Sequence, residues 1–545
     1  MTSRSLGHRA PLLWLVLPFM GGLAAGKVTG CAAVPWLLAS ALVAAGTAVA
    51  AAWRMPRLWA PALVIAMMLG GWASYALHQN RLPDWDDLPP REVRLALCVE
   101  RVFPQADARR TSGLASVFRA EGPVRELSGQ HLYFSLNLRP GEIAPLRSAV
   151  VLAAGVLATL PRDQPADTFD GYLASSGINF RLTRGRVLRE ETAPSAYARF
   201  CAEAARRFSI ILGRGVAAKR PELTATLRAM LLGQQSELNE EQILLFRQSG
   251  TMHIFSISGL HIAVIAGGLQ AVLSLLRVPR RAQYPIGLAA LWLYVDITGT
   301  APSAVRAFVM VAFLQSAFVF RVPANPVAAL TASVLLVLLA DPLQIFNASF
   351  QMSYGIVAAL LLLGLPMAEA WEAWWTPFRD VPEVTWNWWQ RWLSTAWRWL
   401  VPAIALGLAA ALVGAASGVL FFGLFTPGAL LVNLALIPAS SLVILAGFIS
   451  LLTGLAGLAS ASALFNHAAV LLLWGIDRAV REFLRLPAMW FTAHFNRPWL
   501  GATILVALMG LMLAGYQLRW ERRRGGFWPP FVLAALALGF GLTFD

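Results

Sequence analysis

The residues best suited to chemistry in this chain lie close together at the start of a long apolar stretch. His253, Ser256, Ser258 and His261 follow one another at intervals of two or three residues. Imidazole and hydroxyl groups donate and accept hydrogen bonds, and lipid satisfies neither role, so such groups are costly on a surface that faces the bilayer core. We therefore predict that these four side chains line a polar cavity or pathway inside a helical bundle.

Several conformations fit this segment. On a continuous helix, at 100° per residue, His253, Ser258 and His261 occupy an arc of roughly 140°, which makes one polar stripe. Alternatively, the Ser-Gly pair at 258 and 259 breaks the helix and exposes backbone carbonyls inside the bundle. A third interpretation is that these groups only bond neighbouring helices. Ser258 and His261 also suggest an intramembrane serine hydrolase, but a nucleophile and its base usually come from different elements.

Three more polar groups interrupt apolar sequence further along the chain. Arg306 lies about one turn inside a predicted span, where an unpaired cation is costly, so it either serves a pathway or has a structural partner. Asn347, Gln351 and Ser353 recur at short helical intervals, and Asn433 lies between two prolines. Interrupted membrane helices are typical positions of transport sites. We predict that these five residues line the same pathway.

The composition indicates that most of the chain lies in a membrane. Hydrophobic residues make up 57% of the 545 residues, charged residues make up 13%, and the mean hydropathy is +0.60. Because a span needs about 20 apolar residues, we predict a mostly α-helical, polytopic bundle of roughly ten to thirteen helices with one soluble insertion. The net charge of +15 fits either polyanion binding or the basic cytoplasmic loops of an inner-membrane protein.

Four regions follow from the distribution of polar residues. Residues 1–78 hold three apolar runs, and arginines before the first run and between the second and third place residue 79 outside the cytoplasm. Residues 79–195 are a polar island with alternating segments, for which we predict a small periplasmic β domain of the OB type. Residues 196–248 form amphipathic helices, and residues 249–545 form the main transmembrane domain.

The amphipathic region is rich in basic residues. Helices of this kind lie along a membrane surface or offer a polyanion its first contact, and the sequence leaves both interpretations open. The residues that would contact a polyanion are Arg206, Arg207, Arg214, Lys219 and Arg220.

The cysteines and histidines of the chain have no spacing typical of a metal site, and we predict neither a metal nor a cofactor. Cys98 and Cys201 flank the polar island. In an oxidising compartment we expect these two cysteines to be linked by a disulfide or both to be buried.

The pattern is less regular between residues 371 and 456. Nine tryptophans between 371 and 399 predict an interfacial helical loop, since indole prefers the headgroup level of a membrane. After this loop we predict three short spans, near residues 400–416, 418–436 and 438–456.

The order and spacing of the polar motifs resemble a known family. The segments are SGTMH at 249–253, ISGLH at 257–261, PSAVRA at 302–307, SFQMS at 349–353, and Asn433 followed by Pro438. Together they resemble the competence domain of ComEC-type DNA-internalisation channels. The resemblance is specific from about residue 225 to 440 and looser in the N-terminal helices and the polar island.

This resemblance implies a function in natural transformation. Such proteins carry one DNA strand across the bacterial inner membrane, so the polar residues above would line the path of single-stranded DNA and the basic residues would contact it. The implied partners are a periplasmic DNA-receptor protein, a cytoplasmic ATPase or helicase that pulls the strand, and the lipid bilayer. A small-solute or lipid transporter with the same broken helices is the alternative.

Many members of this family add a metallo-β-lactamase-like domain, a proposed nuclease that would remove the other strand. No His-x-His-x-Asp-His motif is present in this sequence. We therefore expect no enzymatic activity in this chain.

Overall fold

A computed structural model describes residues 10–30, 34–55, 57–79, 89–105, 107, 109–120, 122–160, 168–378, 380–520 and 526–544. Within these ranges, nine helices are long and apolar enough to cross a membrane, and three shorter apolar helices accompany them. The predicted polytopic, mostly α-helical architecture is therefore confirmed.

Three helices form the described N-terminal part of the protein. They are α1 (Leu13–Thr29), α2 (Val34–Arg54) and α3 (Trp59–Gln79). The backbones of α1 and α3 approach closely, because a Cβ atom on Gly22 would lie only 1.9 Å from the carbonyl oxygen of Met68. Small residues permit such contacts between membrane helices. The arginines that precede α1 lie outside the described residues.

The polar island folds into a closed β-barrel of five strands. In spatial order the strands are β1-β2-β3-β5-β4, and β3 and β5 are the parallel pair. The small β region is therefore confirmed, while its assignment to the OB type stays a prediction. The elements are β1 (Arg91–Phe103), β2 (Arg110–Ala120), β3 (His131–Asn137), β4 (Val150–Thr159), a short helix α4 (Phe169–Ser175) and β5 (Phe180–Thr192).

Alternate residues of each strand fill the barrel. In β3, Leu132, Phe134 and Leu136 are fully buried, whereas His131 is exposed and Tyr133 is half-buried. This follows from the period of two in a strand, which sends successive side chains to opposite faces. The outer face of β3 is therefore free to make contacts outside the barrel core.

The barrel surface carries one pair formed by a histidine and a carboxylate. Nδ1 of His131 lies 3.2 Å from the Glu100 carboxylate. The hydrogen bond to Glu100 raises the pKa of His131 above 6.5. Burial alone would raise the pKa of Glu100, but the hydrogen bond and charge of His131 outweigh it and the pKa falls below 4.5. The two groups are therefore oppositely charged in mildly acidic solution.

This pair predicts a small dependence of barrel stability on pH. The contribution of His131 is complete below its ordinary pKa and is lost as the pH rises through its raised pKa. Both side chains are more than a third exposed, so solvent screening keeps the effect small. Hydrogen exchange in β1 and β3 should be faster at about pH 8 than at about pH 5.5, after correction for the intrinsic exchange rate. His131→Asn should abolish this difference, and a difference of the same size in the variant would contradict the assignment.

Ten helices of the described residues follow the barrel before the C-terminal elements. The first six of them share one apolar core, which includes Ile262 and Val295, both fully buried. A π-helical turn, Leu360–Gly364, connects α12 to α13. The first nine helices are α5 (Ala196–Gly213), α6 (Pro221–Leu232), α7 (Glu240–Gln248), α8 (Gly259–Leu275), α9 (Arg280–Ile297), α10 (Pro302–Val319), α11 (Pro326–Ala340), α12 (Ala348–Ala359) and α13 (Leu365–Trp374). The tenth is α14 (Trp388–Phe422).

The prediction of three short spans between residues 400 and 456 is wrong. Two long helices, α14 and α15 (Ala429–Leu455), occupy this region. Pro402 and Pro438 lie inside them, because a membrane bundle can satisfy the carbonyl that a proline leaves free. The break occurs instead at Gly423, which ends α14 with a φ of 61°. The tryptophan-rich stretch is also partly helical, since α14 begins at Trp388.

A small sheet joins the ends of the last helices. β6, β7 and β8 form three strands in that order, so the segments after α14, α16 and α18 lie side by side. The elements are β6 (Leu424–Phe425), α16 (Ala459–Leu484), β7 (Phe491–Phe495), α17 (Pro498–Gln517), α18 (Trp528–Gly541) and β8 (Leu542–Phe544).

Candidate functional site

The segment that precedes α8 is broken rather than continuously helical. Gly250 has a φ of 68°, in the left-handed region, and Met252–Ile254 form a single 3₁₀ turn. Ser258 is extended, with a φ of −118°, and α8 begins at the next residue. Of the conformations predicted for this segment, the structure has the break at the Ser-Gly pair, so the polar residues do not share one helical stripe.

Ser258 and His261 together cap the start of α8. The hydroxyl of Ser258 lies 2.9 Å from Nδ1 of His261, and the backbone N–H of Ser258 donates to the same nitrogen over 3.3 Å. Because Nδ1 accepts from a backbone N–H, we assign the neutral tautomer with the hydrogen on Nε2. His261 is fully buried, yet its Nε2 has no hydrogen-bond partner among the described residues. A buried donor is therefore left without a partner from the described part of the chain.

His253 and Ser256 lie just before this cap. His253 is exposed and Ser256 is half-exposed. On α10, the hydroxyl of Ser303 donates to the carbonyl oxygen of Ile257 over 2.6 Å. This hydrogen bond satisfies one of the carbonyls that the helix break leaves free, and it connects the start of α8 to the start of α10.

Arg306 lies one turn after Ser303 on α10 and reaches α12. Its side chain is only 3% exposed, and Nη2 donates to the carbonyl oxygen and the hydroxyl of Ser349 over 2.9 and 2.7 Å. Among the described residues, its Nε has no hydrogen-bond partner and no carboxylate forms an ion pair with it. Arg306 is therefore a buried cation whose hydrogen-bond partners in the described part of the chain are neutral.

Asn347 connects α12 to the barrel. Its side-chain oxygen accepts from the backbone N–H of Ser349, and its side-chain nitrogen donates to the hydroxyl of Ser175 in α4 over 3.1 Å. Gln351 donates to the carbonyl oxygen of Ile345 over 2.9 Å. Asn347 therefore acts as a helix cap and as a contact between the barrel and the membrane helices.

Ser353 and Asn433 are both half-buried. Oδ1 of Asn433 is buried without a partner among the described residues. The start of α15, which carries Asn433, reaches the broken segment, because a Cβ atom on Gly250 would lie 3.0 Å from that of Ala429. Hydrogen bonds thus connect the starts of α8 and α10 and the starts of α10 and α12, and the start of α15 packs against the broken segment.

A cavity of about 240 Å³ lies where the barrel meets the starts of α8 and α10. The end of β1 contributes Arg101 and Val102, the broken segment contributes Ser256, the loop after α9 contributes Thr298, and α10 contributes Ser303. The hydroxyl-bearing end of the helix break therefore faces the barrel.

A second contact between the barrel and the membrane helices, which the sequence analysis missed, involves α9. Asp296 is 8% exposed, and its carboxylate accepts from Arg147 of the barrel over 2.8 Å and from the hydroxyl of Tyr197 in α5 over 2.6 Å. The hydrogen bond to Asp296 raises the pKa of Tyr197. The sequence contained one signal for this contact, since Asp296 is the only acidic residue between Glu241 and Asp341.

The five basic residues predicted to contact a polyanion differ in their surroundings. Arg206 and Arg207 both pair with Glu203, and hydrogen bonds from these two arginines lower the pKa of Glu203 to about 2. Arg214 is half-buried at the end of α5, where its carbonyl oxygen accepts from Asn466. The residues Lys219 and Arg220 are exposed.

The prediction that Cys98 and Cys201 form a disulfide or are both buried is wrong. Both are free thiols, and both are partly exposed. Cys98 lies on β1 opposite Ser116 of β2. Cys201 lies on α5 beside the hydroxyl of Tyr197, and burial raises its pKa. The two thiols therefore lie in different environments, one on the barrel and one on α5.

The fold and these contacts define a class of protein, a polytopic membrane protein with a small β-barrel docked on a polar break in its helices. A sequence model described as "Competence protein" matches residues 230–520, which is more than half of the chain. The chain belongs to the competence protein family of the ComEC type. The matched range contains all the predicted pathway residues but not the barrel.

Two curated relatives match shorter segments. ComE operon protein 3 of Bacillus subtilis (strain 168) is 29% identical over 142 residues, which cover 26% of this chain and 18% of that protein. Recombination protein 2 of Haemophilus influenzae (strain ATCC 51907 / DSM 11121 / KW20 / Rd) is 29% identical over 188 residues, which cover 33% of this chain and 22% of that protein. The matches thus span about a fifth of the length of these relatives. No solved structure matches the chain.

Proposed function

We propose that this chain is a multi-pass channel of the bacterial inner membrane that moves single-stranded DNA into the cytoplasm during natural transformation. Membership of the competence protein family supports a role in DNA uptake. The single observation that carries the proposal is Arg306, a buried cation that is held by the neutral Ser349 and whose Nε has no partner among the described residues. An intramembrane cation without an acid partner is costly, and such residues typically mark a path for a charged substrate.

The chemistry of Arg306 fits a phosphodiester backbone. A DNA strand carries one negative charge per nucleotide. In a site of low effective dielectric, one guanidinium gives a passing phosphate a transient counter-charge. Among the described residues, only Ser349 holds this guanidinium by hydrogen bonds, so Nε remains available as a donor.

The hydrogen-bonded starts of α8, α10 and α12, together with the start of α15, would form the wall of the pathway. We assign to this wall a set of neutral polar side chains. A passing strand can replace its hydrogen bonds to water by hydrogen bonds to these groups, and neutral groups would not hold it so tightly that it stops. The side chains are those of His253, Ser256, Ser258, His261, Asn347, Gln351, Ser353 and Asn433. Lys219 and Arg220, which are exposed, are the best remaining candidates for a DNA-contact surface.

The regional assignments belong to the same proposal. Residues 1–78 would anchor the chain, residues 79–195 would form a periplasmic barrel of the OB type, residues 196–248 would link it to the membrane, and residues 249–545 would form the channel. A periplasmic receptor would deliver DNA and a cytoplasmic ATPase or helicase would pull it. We propose a transport function without catalysis in this chain.

The experiment that tests this function measures DNA uptake in a naturally transformable host that lacks the gene. Duplex DNA labelled on each strand in turn is offered, and label in the cytoplasm is separated from label held outside. We expect cytoplasmic label to disappear while surface-bound label remains, and the intact gene to restore import. Normal import in the deletion strain, together with loss of uptake of a small solute or lipid, would favour the alternative transporter.

A further inference from the structure

Four aromatic rings form a cluster on the barrel. Phe103 comes from the end of β1, Tyr133 from β3, and Phe169 and Tyr172 from α4. The ring centroids of Tyr133 and Phe169 are 5.2 Å apart, and those of Phe169 and Tyr172 are 6.1 Å apart. Phe103 lies 6.3 Å from Tyr133 and 6.4 Å from Phe169. We name this set the four-ring cluster.

The four-ring cluster is separate from the barrel core. Phe134 and its alternate neighbours fill the interior, while Tyr133 points to the outer face of β3. Phe169 is 50% exposed, and Phe103 and Tyr172 are half-buried. The rings are therefore packed against one another but keep part of their surface open.

Two arginines accompany the rings. The guanidinium carbon of Arg101 lies 5.3 Å from the ring centroid of Phe103. Arg181 is the β5 neighbour of Tyr133, and its contact with Asp170 is 3.4 Å long. Nε of Arg181 is buried without a partner among the described residues. Flat apolar faces beside incompletely paired cations match a ligand that is both planar and anionic.

The position of the four-ring cluster connects the parts of the proposed pathway. Arg101, which covers Phe103, also lines the cavity that contains Ser256 and Ser303. At the other end of the cluster, Ser175 of α4 accepts a hydrogen bond from Asn347 over 3.1 Å. Asn347 in turn accepts from the backbone N–H of Ser349, whose hydroxyl accepts from Arg306. The cluster and its helix α4 thus contact both the cavity at the start of α8 and the residues that hold the cation on α10.

We propose that the four-ring cluster is a base-stacking site that holds a single strand of DNA at the mouth of the channel and directs its phosphates toward Arg306. This inference rests on the proposed function. Stacking on aromatic faces is tolerant of sequence because every base has a π face. The site would therefore bind single strands without sequence preference. A duplex would bind less well because its bases are already stacked on one another.

The test measures oligonucleotide binding to the full chain in lipid nanodiscs by fluorescence anisotropy. The probes are a fluorescein-labelled thymidine oligonucleotide of about 15 nucleotides and an abasic strand of the same length. We expect the protein to bind the thymidine strand more tightly. Phe169→Ala should weaken this binding about tenfold, equivalent to about 1.4 kcal/mol of stacking, and leave abasic binding unchanged. Phe169→Trp should keep or improve the affinity.

Phe118→Ala is the matched control. Phe118 is an aromatic residue of β2 in the same barrel and is 64% exposed, but it is not part of the four-ring cluster. Its loss should leave both affinities unchanged. Equal affinities for the thymidine and abasic strands, or equal losses in the Phe118 and Phe169 variants, would overturn the stacking site. DNA import that is lost in the deletion strain but normal in Phe169→Ala would overturn only this inference and leave the proposed function intact.

Discussion

Arg306→Gln is expected to lower DNA import into the cytoplasm roughly ten- to hundredfold, the effect of losing one hydrogen bond to a charged group worth about 1.5–3 kcal/mol. DNA capture at the cell surface should be unchanged. Glutamine keeps polar atoms near Ser349 but removes the charge that would meet each phosphate. Arg306→Lys keeps the charge and loses the planar fork, so it should retain part of the import rate. The measurement is protected cytoplasmic label per cell at matched expression.

The control for this prediction is Arg398→Gln. Arg398 lies on α14 and pairs with Glu383 over 2.7 Å, with both side chains exposed, so its loss should not change import. Thermal stability in detergent distinguishes a role of Arg306 in the pathway from a role in holding the structure together. If Arg306 mainly holds α10 to α12 through Ser349, both Arg306 variants should unfold at lower temperature and express poorly. That outcome would contradict the phosphate role.

His261→Ala and Ser258→Leu are the second pair of changes with a large expected effect. Both should abolish DNA import while membrane insertion and surface capture remain. His261→Ala removes the buried Nε2 donor, and Ser258→Leu places an apolar side chain where the helix break presents a hydroxyl to the pathway. Losing the cap costs about 1 kcal/mol, which is small for a bundle of this size. Ser258→Thr keeps the hydroxyl and should keep most of the import.

Ser274→Ala is the matched control on the same helix. Ser274 is exposed, and its hydroxyl donates to the carbonyl oxygen of Gln270 over 2.8 Å. This change should leave import as it is. Normal transformation by well-expressed His261→Ala protein would overturn the assignment of the start of α8 to the pathway wall.

Local patterns in the sequence predicted the fold class. The apolar runs gave the membrane helices, and strand-like alternation around residues such as Leu132 and Phe134 gave the β region. The helix break at Ser258 was one of the predicted conformations. Hydropathy failed between residues 400 and 456, in part because Pro438, which looks like the start of a new span, lies inside a helix.

Local sequence patterns could not predict contacts between residues that are distant in the sequence. Asp296 and Arg147 are 149 positions apart, and only the docking of the barrel brings them together. The four-ring cluster also requires the barrel to close. The cysteine prediction failed for the same reason, since two positions that flank a domain in the sequence need not be neighbours in the fold.

The most direct test of the central claim maps where a transported strand touches the protein. The probe is a single strand that carries photoreactive 4-thiothymidine and a bulky block at either end, so that it stalls during import. After irradiation the protein is digested, and the crosslinked peptides are mapped. The proposed pathway predicts crosslinks in three segments, residues 249–262, 298–310 and 345–354, and their loss when import is prevented upstream. Crosslinks confined to α2 or to the exposed tryptophans of α14, with none in these segments, would contradict it.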